Sequence, residues 1–269
     1  MELIAQLNLT FYLAALFFGL VVGSFLNVVA WRWPREESIV YPGSHCPRCG
    51  KPIAWYDNIP VVSWLLLRGR CRSCREKISI RYPLIELASG SLSVLCFFCF
   101  GLSKAYFIYF AFASSLLAAS IIDLEHRLIP DEISIGGAVV GLGLAFLPGA
   151  RVEPSAALLG ACAGFLLLFA VAQGYYLLTK REGMGLGDAK LLAMIGAFLG
   201  WRSLPLAIFA GSVLGSLVGL LLILASRDRF YKIPFGPFLS LGALLWLVLW
   251  AKNYQLNLGP FARFLGIGK

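Results

Sequence analysis

The sequence predicts an all-α polytopic membrane protein of about eight transmembrane helices, carrying one small extramembrane insertion. Hydrophobic residues make up 59% of the 269-residue chain and charged residues only 14%, with a mean hydropathy of +0.80. A soluble domain sits nearer half apolar and about a quarter charged, so the surplus apolar surface must face lipid. Long uncharged runs also recur along most of the chain, and only residues 34–82 offer an extramembrane stretch long enough to fold.

Taken in order, the first run, Thr10 to Trp33, is too long for the apolar core of a cleavable signal. Residues 1–9 contain Glu2 and no Lys or Arg, so the basic leader of such a signal is missing and a retained first span over 10–32 is expected. Further spans are expected at 83–101, 104–122, 133–149, 156–179, 189–201, 203–226 and 236–252. The sixth has about 13 residues against the roughly 20 a crossing needs, so it is tilted, re-entrant or fused with the seventh. Three regions follow: residues 1–33, the insertion 34–82, and a multi-span core over 83–269.

Charge sets the expected orientation. With the N-terminus outside, the inner segments hold 17 of the 23 Lys and Arg residues and the outer segments six, a bias that favours N-out, C-out. The formal charge of +9 does not signal nucleic-acid binding, because the basic residues form short clusters between apolar runs. The connections 123–132, 180–190 and 227–235 share the inner side and carry most of the remaining acidic residues, which puts the chemistry on the cytoplasmic face.

Cys46-Pro47-Arg48-Cys49 and Cys71-Arg72-Ser73-Cys74 are paired CxxC turns with 21 residues between them. Four thiolates presented by two such turns complete a tetrahedral shell, so the insertion is expected to be a zinc-binding cytoplasmic domain folded by its metal. Arg48, Arg72 and Arg75 are expected to hold the thiolates deprotonated. Disulfides do not suit a reducing cytosol, and a closed four-thiolate shell leaves no open position for catalysis. Cys96, Cys99 and Cys162 fall within apolar spans and read as packing.

Asp123 ends the apolar run Ala111–Ile122, and Asp188 closes Gly183-Met184-Gly185-Leu186-Gly187-Asp188 before the run Ala189–Trp201. Carboxylates at span ends on one side of a membrane are costly and point to function. The glycines let a second chain approach closely. Two aspartates in one site share a proton: one takes a proton from water while the other donates to a carbonyl oxygen. On the residues alone two other readings stand: Asp188 as the N-cap of the sixth span, and Asp123 as a surface carboxylate reaching for water. The glycine string also mimics a nucleotide-binding fingerprint, but no strand precedes it. His126 is isolated, and Asp131 after Pro130 reads as a helix start rather than chemistry.

Together these stretches resemble the bacterial type IV prepilin peptidases, also called leader peptidase/N-methyltransferases. The resemblance runs through Gly23-Ser24-Phe25-Leu26-Asn27-Val28-Val29, the CxxC pairs, Asp57-Asn58-Ile59-Pro60-Val61, Ser63-Trp64-Leu65, Leu67-Arg68-Gly69, Arg81-Tyr82-Pro83, Glu86, Asp123 with Leu128-Ile129-Pro130-Asp131, Gly185-Leu186-Gly187-Asp188 and Phe235-Gly236-Pro237. It implies an inner-membrane enzyme that cuts the leader from prepilins or pseudopilins of pilus or secretion systems at the cytoplasmic face. Asp123 and Asp188 correspond to the family's catalytic pair, the second in a Gly-x-Gly-Asp motif shared with presenilin-like proteases. Members with the cysteine loop also methylate the new N-terminal amine with S-adenosylmethionine, whose pocket here would have to come from the 34–82 loop and nearby helix ends.

Leaders of this family carry basic residues before the cut, yet the 34–82 loop holds nine basic and four acidic residues. Substrate recognition is therefore expected to fall to acids near the pair: Glu125, Asp131, Glu132 and Glu182. Rival classes are a peptidase without methyl transfer, a transporter or channel, and a non-enzymatic zinc scaffold. A transporter would place its carboxylates near the bilayer midplane, and a scaffold leaves the glycines before Asp188 unexplained.

Overall fold

The structure, a computed structural model, describes residues 2–180, 185–226 and 234–256. Its helices are α1 (Glu2–Arg32), α2 (Val62–Leu66), α3 (Arg81–Phe100), α4 (Lys104–His126), α5 (Asp131–Ala145), α6 (Pro154–Thr179), α7 (Leu186–Leu199), α8 (Leu204–Ser226) and α9 (Gly236–Leu256). No strand occurs among the described residues, where β-pairing is limited to two isolated bridges in the insertion. The chain forms two compact units, residues 1–114 and 115–269.

In the first unit α1 and α3 approach closely because small residues face each other. A Cβ on Gly19 would lie 2.7 Å from Gly90 Cα, and one on Gly23 2.7 Å from Glu86 Cα. Ser93, Tyr106 and Asn27, at that depth, find partners inside the protein, as lipid favours. Ser93 Oγ donates to Ala15 O at 2.6 Å and lies 2.7 Å from the Tyr106 hydroxyl, while Asn27 Nδ2 donates to Tyr82 O at 3.2 Å. Cys96 and Cys99 are buried in α3, as expected of packing residues. Cys162 is instead exposed on α6, an apolar helix that turns most of its side chains outward.

The insertion is tied to α3 by one buried carboxylate. Glu86 Oε2 accepts the N–H of Val61 at 2.7 Å, and Val61 is held at φ +62, a left-handed conformation costly for a β-branched residue. Ser63 Oγ accepts Ile59 N–H at 3.1 Å and donates to Tyr56 O at 2.9 Å, and Trp64 Nε1 donates to Ile78 O at 3.1 Å.

In the second unit α7 is sheathed by its neighbours. Gly196 backs onto Gly160 of α6, Gly164 onto Leu192 O, Gly137 of α5 onto Met194, and Gly141 onto Phe198. Gly200, at φ +77, then ends α7 and a short turn at Trp201–Ser203 precedes α8, so the two helices are not fused.

The expected count of eight spans is not confirmed. Among the described residues, five helical stretches are long and apolar enough to cross a membrane: Leu9–Arg35, Arg81–Phe100, Lys104–His126, Pro154–Thr179 and Trp201–Leu222. The other apolar helices are short. α5 has 15 residues and α7 has 14, or about 21 Å against a hydrocarbon core of about 30 Å. Among the described residues the apolar part of α9 is Gly236–Lys252. For α7 the reason is physical: a helix apolar on every side can be clad by protein as readily as by lipid, and nearly every residue from Asp188 to Leu199 is buried.

Candidate active site and metal centre

The cysteine site is built from two copies of one turn. Cys46 N–H donates to Lys51 O and Gly50 N–H to Cys46 O; in the second copy Cys71 N–H donates to Glu76 O and Arg75 N–H to Cys71 O. Each turn is closed by an isolated bridge, His45 with Pro52 and Arg70 with Lys77. The residue after each second cysteine is left-handed, Gly50 at φ +67 and Arg75 at φ +61. The sulfurs of Cys46, Cys49, Cys71 and Cys74 lie within 4.8 Å of one another, with 3.7 Å between those of Cys46 and Cys74. Zinc–sulfur bonds of about 2.3 Å give tetrahedral edges of about 3.8 Å, so the four thiols are close enough together to converge on one zinc ion. All four are free of disulfides.

At Cys71 it is backbone, rather than the guanidinium groups expected from the sequence, that favours the thiolate: the N–H groups of Cys74 and Ser73 pull this thiol down to about 7, while desolvation and the facing thiols push Cys74 up to about 11. Arg72 instead forks onto Asp57 at 2.7 and 2.6 Å, holding that carboxyl below its ordinary value, and Arg48 pairs with Glu76 at 3.6 Å. These ion pairs lace the insertion together.

The aspartate site lies in the second unit. Asp123, in the last turn of α4, is only 6% exposed, and Asp188, in the first turn of α7, only 8%. Neither bland reading survives this geometry: Asp123 does not reach out to water, and the N-cap of α7 is Gly185, with Asp188 inside the first turn. The two carboxylates act on each other electrostatically. Asp123 Oδ2 accepts the N–H of Gly236, the first residue of α9, at 3.0 Å. Among the described residues no hydrogen bond holds the Asp188 carboxylate.

Ile129, in the α4–α5 turn, is wedged between both arms of the site. A Cβ on Gly187 would lie 3.1 Å from Ile129 Cβ, and one on Gly236 3.1 Å from Ile129 Cδ1. Gly187 thus lets the start of α7 settle on the turn that follows Asp123.

Among the other acids, Asp131 begins α5 after Pro130 and its Oδ1 pairs with Lys190 Nζ of α7 at 2.6 Å. Glu132 is exposed on the same first turn, and Glu125 Oε2 lies 3.9 Å from His126 Nε2. Glu182 and Gly183 lie outside the described residues. The contributions of Gly236, Ile129 and Lys190 were not assigned from sequence.

Buried paired aspartates at the ends of apolar helices, in a chain that also carries a four-cysteine insertion, fit the sequence relationships. Residues 17–100 match the bacterial peptidase A24 N-terminal domain, and residues 110–220 match the type IV leader peptidase family. The chain belongs to the type IV leader peptidase family. It is 40% identical to a Pseudomonas putida prepilin leader peptidase/N-methyltransferase across 88% of this chain and 92% of that one. It is also 40% identical to the Stutzerimonas stutzeri protein of that name, across 97% and 98%, and 37% identical to the Aeromonas salmonicida one, across 91% and 94%. No solved structure matches the chain. As a leader peptidase family member with five apolar crossing helices, it is a multi-pass membrane protein.

Proposed function

We propose that Asp123 and Asp188 are the catalytic pair with which this leader peptidase cleaves prepilins or pseudopilins. The chain is a peptidase with N-methyltransferase activity toward the amine that cleavage exposes. The observation that carries the assignment is the burial of two interacting carboxylates in one site, with Asp123 oriented by the Gly236 N–H.

The chemistry follows from that asymmetry. With Oδ2 engaged by Gly236, Asp123 presents Oδ1 to a water and takes its proton as the oxygen attacks the scissile carbonyl carbon. Protonated Asp188 donates to the carbonyl oxygen, giving a neutral tetrahedral diol. Collapse of the diol breaks the C–N bond, a proton passes to the leaving nitrogen, and the products are the leader carboxyl and a free α-amine. No covalent intermediate forms.

The remaining assignments rest on the same reading. Residues 34–82 form a zinc-stabilised domain tied to methyl transfer, beside a first span at 1–33 and a peptidase core over 83–269. Cys46, Cys49, Cys71 and Cys74 hold zinc, which is structural. S-adenosylmethionine supplies the methyl group. Glu125, Glu132 and Glu182 receive the basic leader, with Asp131 contributing less because Lys190 already neutralises it. The protein lies in the inner membrane, N-out and C-out, with its active site toward the cytoplasm, as the distribution of Lys and Arg supports.

The decisive experiment incubates purified protein with a prepilin and S-adenosylmethionine and weighs the product. Loss of the leader and gain of one methyl group are expected. An uncut prepilin would overturn the peptidase assignment, and a cut but unmethylated one the methyltransferase assignment.

A further inference from the structure

The inner end of α1 forms one wall of a cavity of about 320 Å³ whose other wall is the insertion, at residues 39, 40, 42–44, 58 and 60. Ser24, Phe25, Val28 and Arg32 line it from α1, spaced so that they share one helix face; Ser44 and Asn58 line it from the insertion. The volume lies in the roughly 300–1,000 Å³ range of small-molecule sites.

Arg32 is the unusual member. It is 8% exposed, and no carboxylate of a described residue pairs with it. Nη1 donates to Ser38 O at 3.0 Å and Nη2 to Gly43 O at 3.4 Å, so two carbonyls fix its fork while the remaining donors are unspent. A buried guanidinium without a counter-charge is costly, and a planar anion that meets the fork would offset the cost. Among the described residues Arg32 is the only charged one lining the cavity, so the site offers a single group for a carboxylate rather than a cluster suited to a polyanion. Around it stand neutral hydrogen-bonding groups and the half-exposed ring of Phe25, which offers a face for a flat heterocycle.

We propose that this cavity binds the methyl donor, S-adenosylmethionine, with Arg32 taking its carboxylate. Phe25 faces the adenine, and Ser24, Ser44 and Asn58 serve the ribose and base. The proposal rests on the methyltransferase reading above. It gives α1 and the insertion a joint purpose, since neither forms the cavity alone.

The test is equilibrium binding to the purified, zinc-loaded full chain by calorimetry. S-adenosylmethionine is compared with 5′-methylthioadenosine, which lacks the amino-acid arm. Wild type is expected to prefer S-adenosylmethionine, and Arg32→Gln to lose roughly 10–100-fold of affinity for it while binding 5′-methylthioadenosine unchanged. Val28→Trp, which leaves the Arg32 hydrogen bonds in place and fills the cavity, is expected to weaken both ligands. Zinc content and a monodisperse elution profile report folding of each variant. Unaltered S-adenosylmethionine binding in Val28→Trp and Arg32→Gln would overturn the site while leaving the methyltransferase reading intact. A wild type that neither binds S-adenosylmethionine nor methylates cut prepilin would overturn that reading, and this proposal with it. Nanodiscs with and without phosphatidylglycerol separate a lipid phosphate from the methyl donor: anionic lipid that occupies the site and is not displaced by S-adenosylmethionine would also overturn the proposal.

Discussion

Gly236 holds Asp123 through its backbone: the N–H donates to Oδ2 at 3.0 Å, and a Cβ on Gly236 would lie 2.7 Å from the same oxygen. Only glycine leaves room for the carboxylate and the N–H together. Gly236→Ala is therefore expected to push the carboxylate off its donor and lower kcat for prepilin cleavage by about tenfold or more, which is about 1.4 kcal/mol of transition-state stabilisation. KM should change little, because the substrate's flanking contacts are untouched. A kcat within twofold of wild type would show that this hydrogen bond does not orient the general base.

The two aspartates perform different proton tasks, so neither can substitute for the other. Asp123→Asn and Asp188→Asn are each expected to abolish cleavage in protein that remains folded and retains zinc. Steady cleavage by either variant, measured by the mass of the pilin product, would remove that residue from the mechanism. Reagents that block serine or cysteine nucleophiles should not affect cleavage.

Much of this was legible in the sequence, and what was not has identifiable causes. Cys46, Cys49, Cys71 and Cys74 announced a metal centre because the spacing of two CxxC turns leaves few other uses for four thiols. Asp123 and Asp188 were legible as carboxylates at the ends of apolar runs. The number of spans was not, because hydropathy reports that α7 avoids water without saying whether protein or lipid covers it. Gly236 and Ile129 could not be assigned for a similar reason. A glycine's backbone donor carries no residue signature, and Gly236 meets Asp123 across 113 positions of chain. Lys190 lies two positions from Asp188, yet its partner Asp131 is 59 positions away.

The metal centre makes a pH prediction with a definite sign. Cys71, lowered to about 7 from an ordinary value of 9.0, favours the folded turn as a thiolate. That contribution is fully present above about pH 9 and is lost as pH falls through about 7. Purified protein is expected to carry about one zinc. At pH 8 zinc binding should release fewer than four protons, since Cys71 has already given up most of its own. Release of a proton for every one of the four ligands at that pH would contradict the lowered value, and protein isolated without metal would contradict the centre itself.

The paired turns carry different residues at their shared left-handed position, Gly50 at φ +67 and Arg75 at φ +61. A left-handed conformation costs an ordinary L-residue about 1 kcal/mol. Gly50→Ala should therefore destabilise the zinc-bound insertion by about that amount. Arg75→Gly should be neutral or stabilising, since relief of strain opposes the greater freedom of glycine in the unfolded chain. Resistance to chelators reads both changes. If Gly50→Ala holds zinc as firmly as wild type, the left-handed turn is not what shapes the site.

Recognition of the leader is the point at which charge works against the most conspicuous feature of the chain. The basic insertion would repel a basic leader, so attraction must come from acids near the dyad. Asp131 is the weakest candidate, since Lys190 Nζ lies 2.6 Å from its carboxylate. Glu132, exposed on the same turn of α5, keeps its charge available. Glu132→Lys is therefore expected to raise KM for prepilin more than Asp131→Asn does, with kcat on saturating substrate nearly unchanged. An exposed ion pair contributes about 0.2–1 kcal/mol, and reversal replaces attraction with repulsion, so the rise should be several-fold at low salt. At about 1 M salt the Debye length falls to about 3 Å, and the difference from wild type should vanish. This salt dependence separates electrostatics from packing: a KM ratio that is the same at low and high salt would mean that Glu132 acts by shape. Flat KM values across reversal of Glu125, Glu132 and Glu182 would mean that the leader is held through its apolar helix instead.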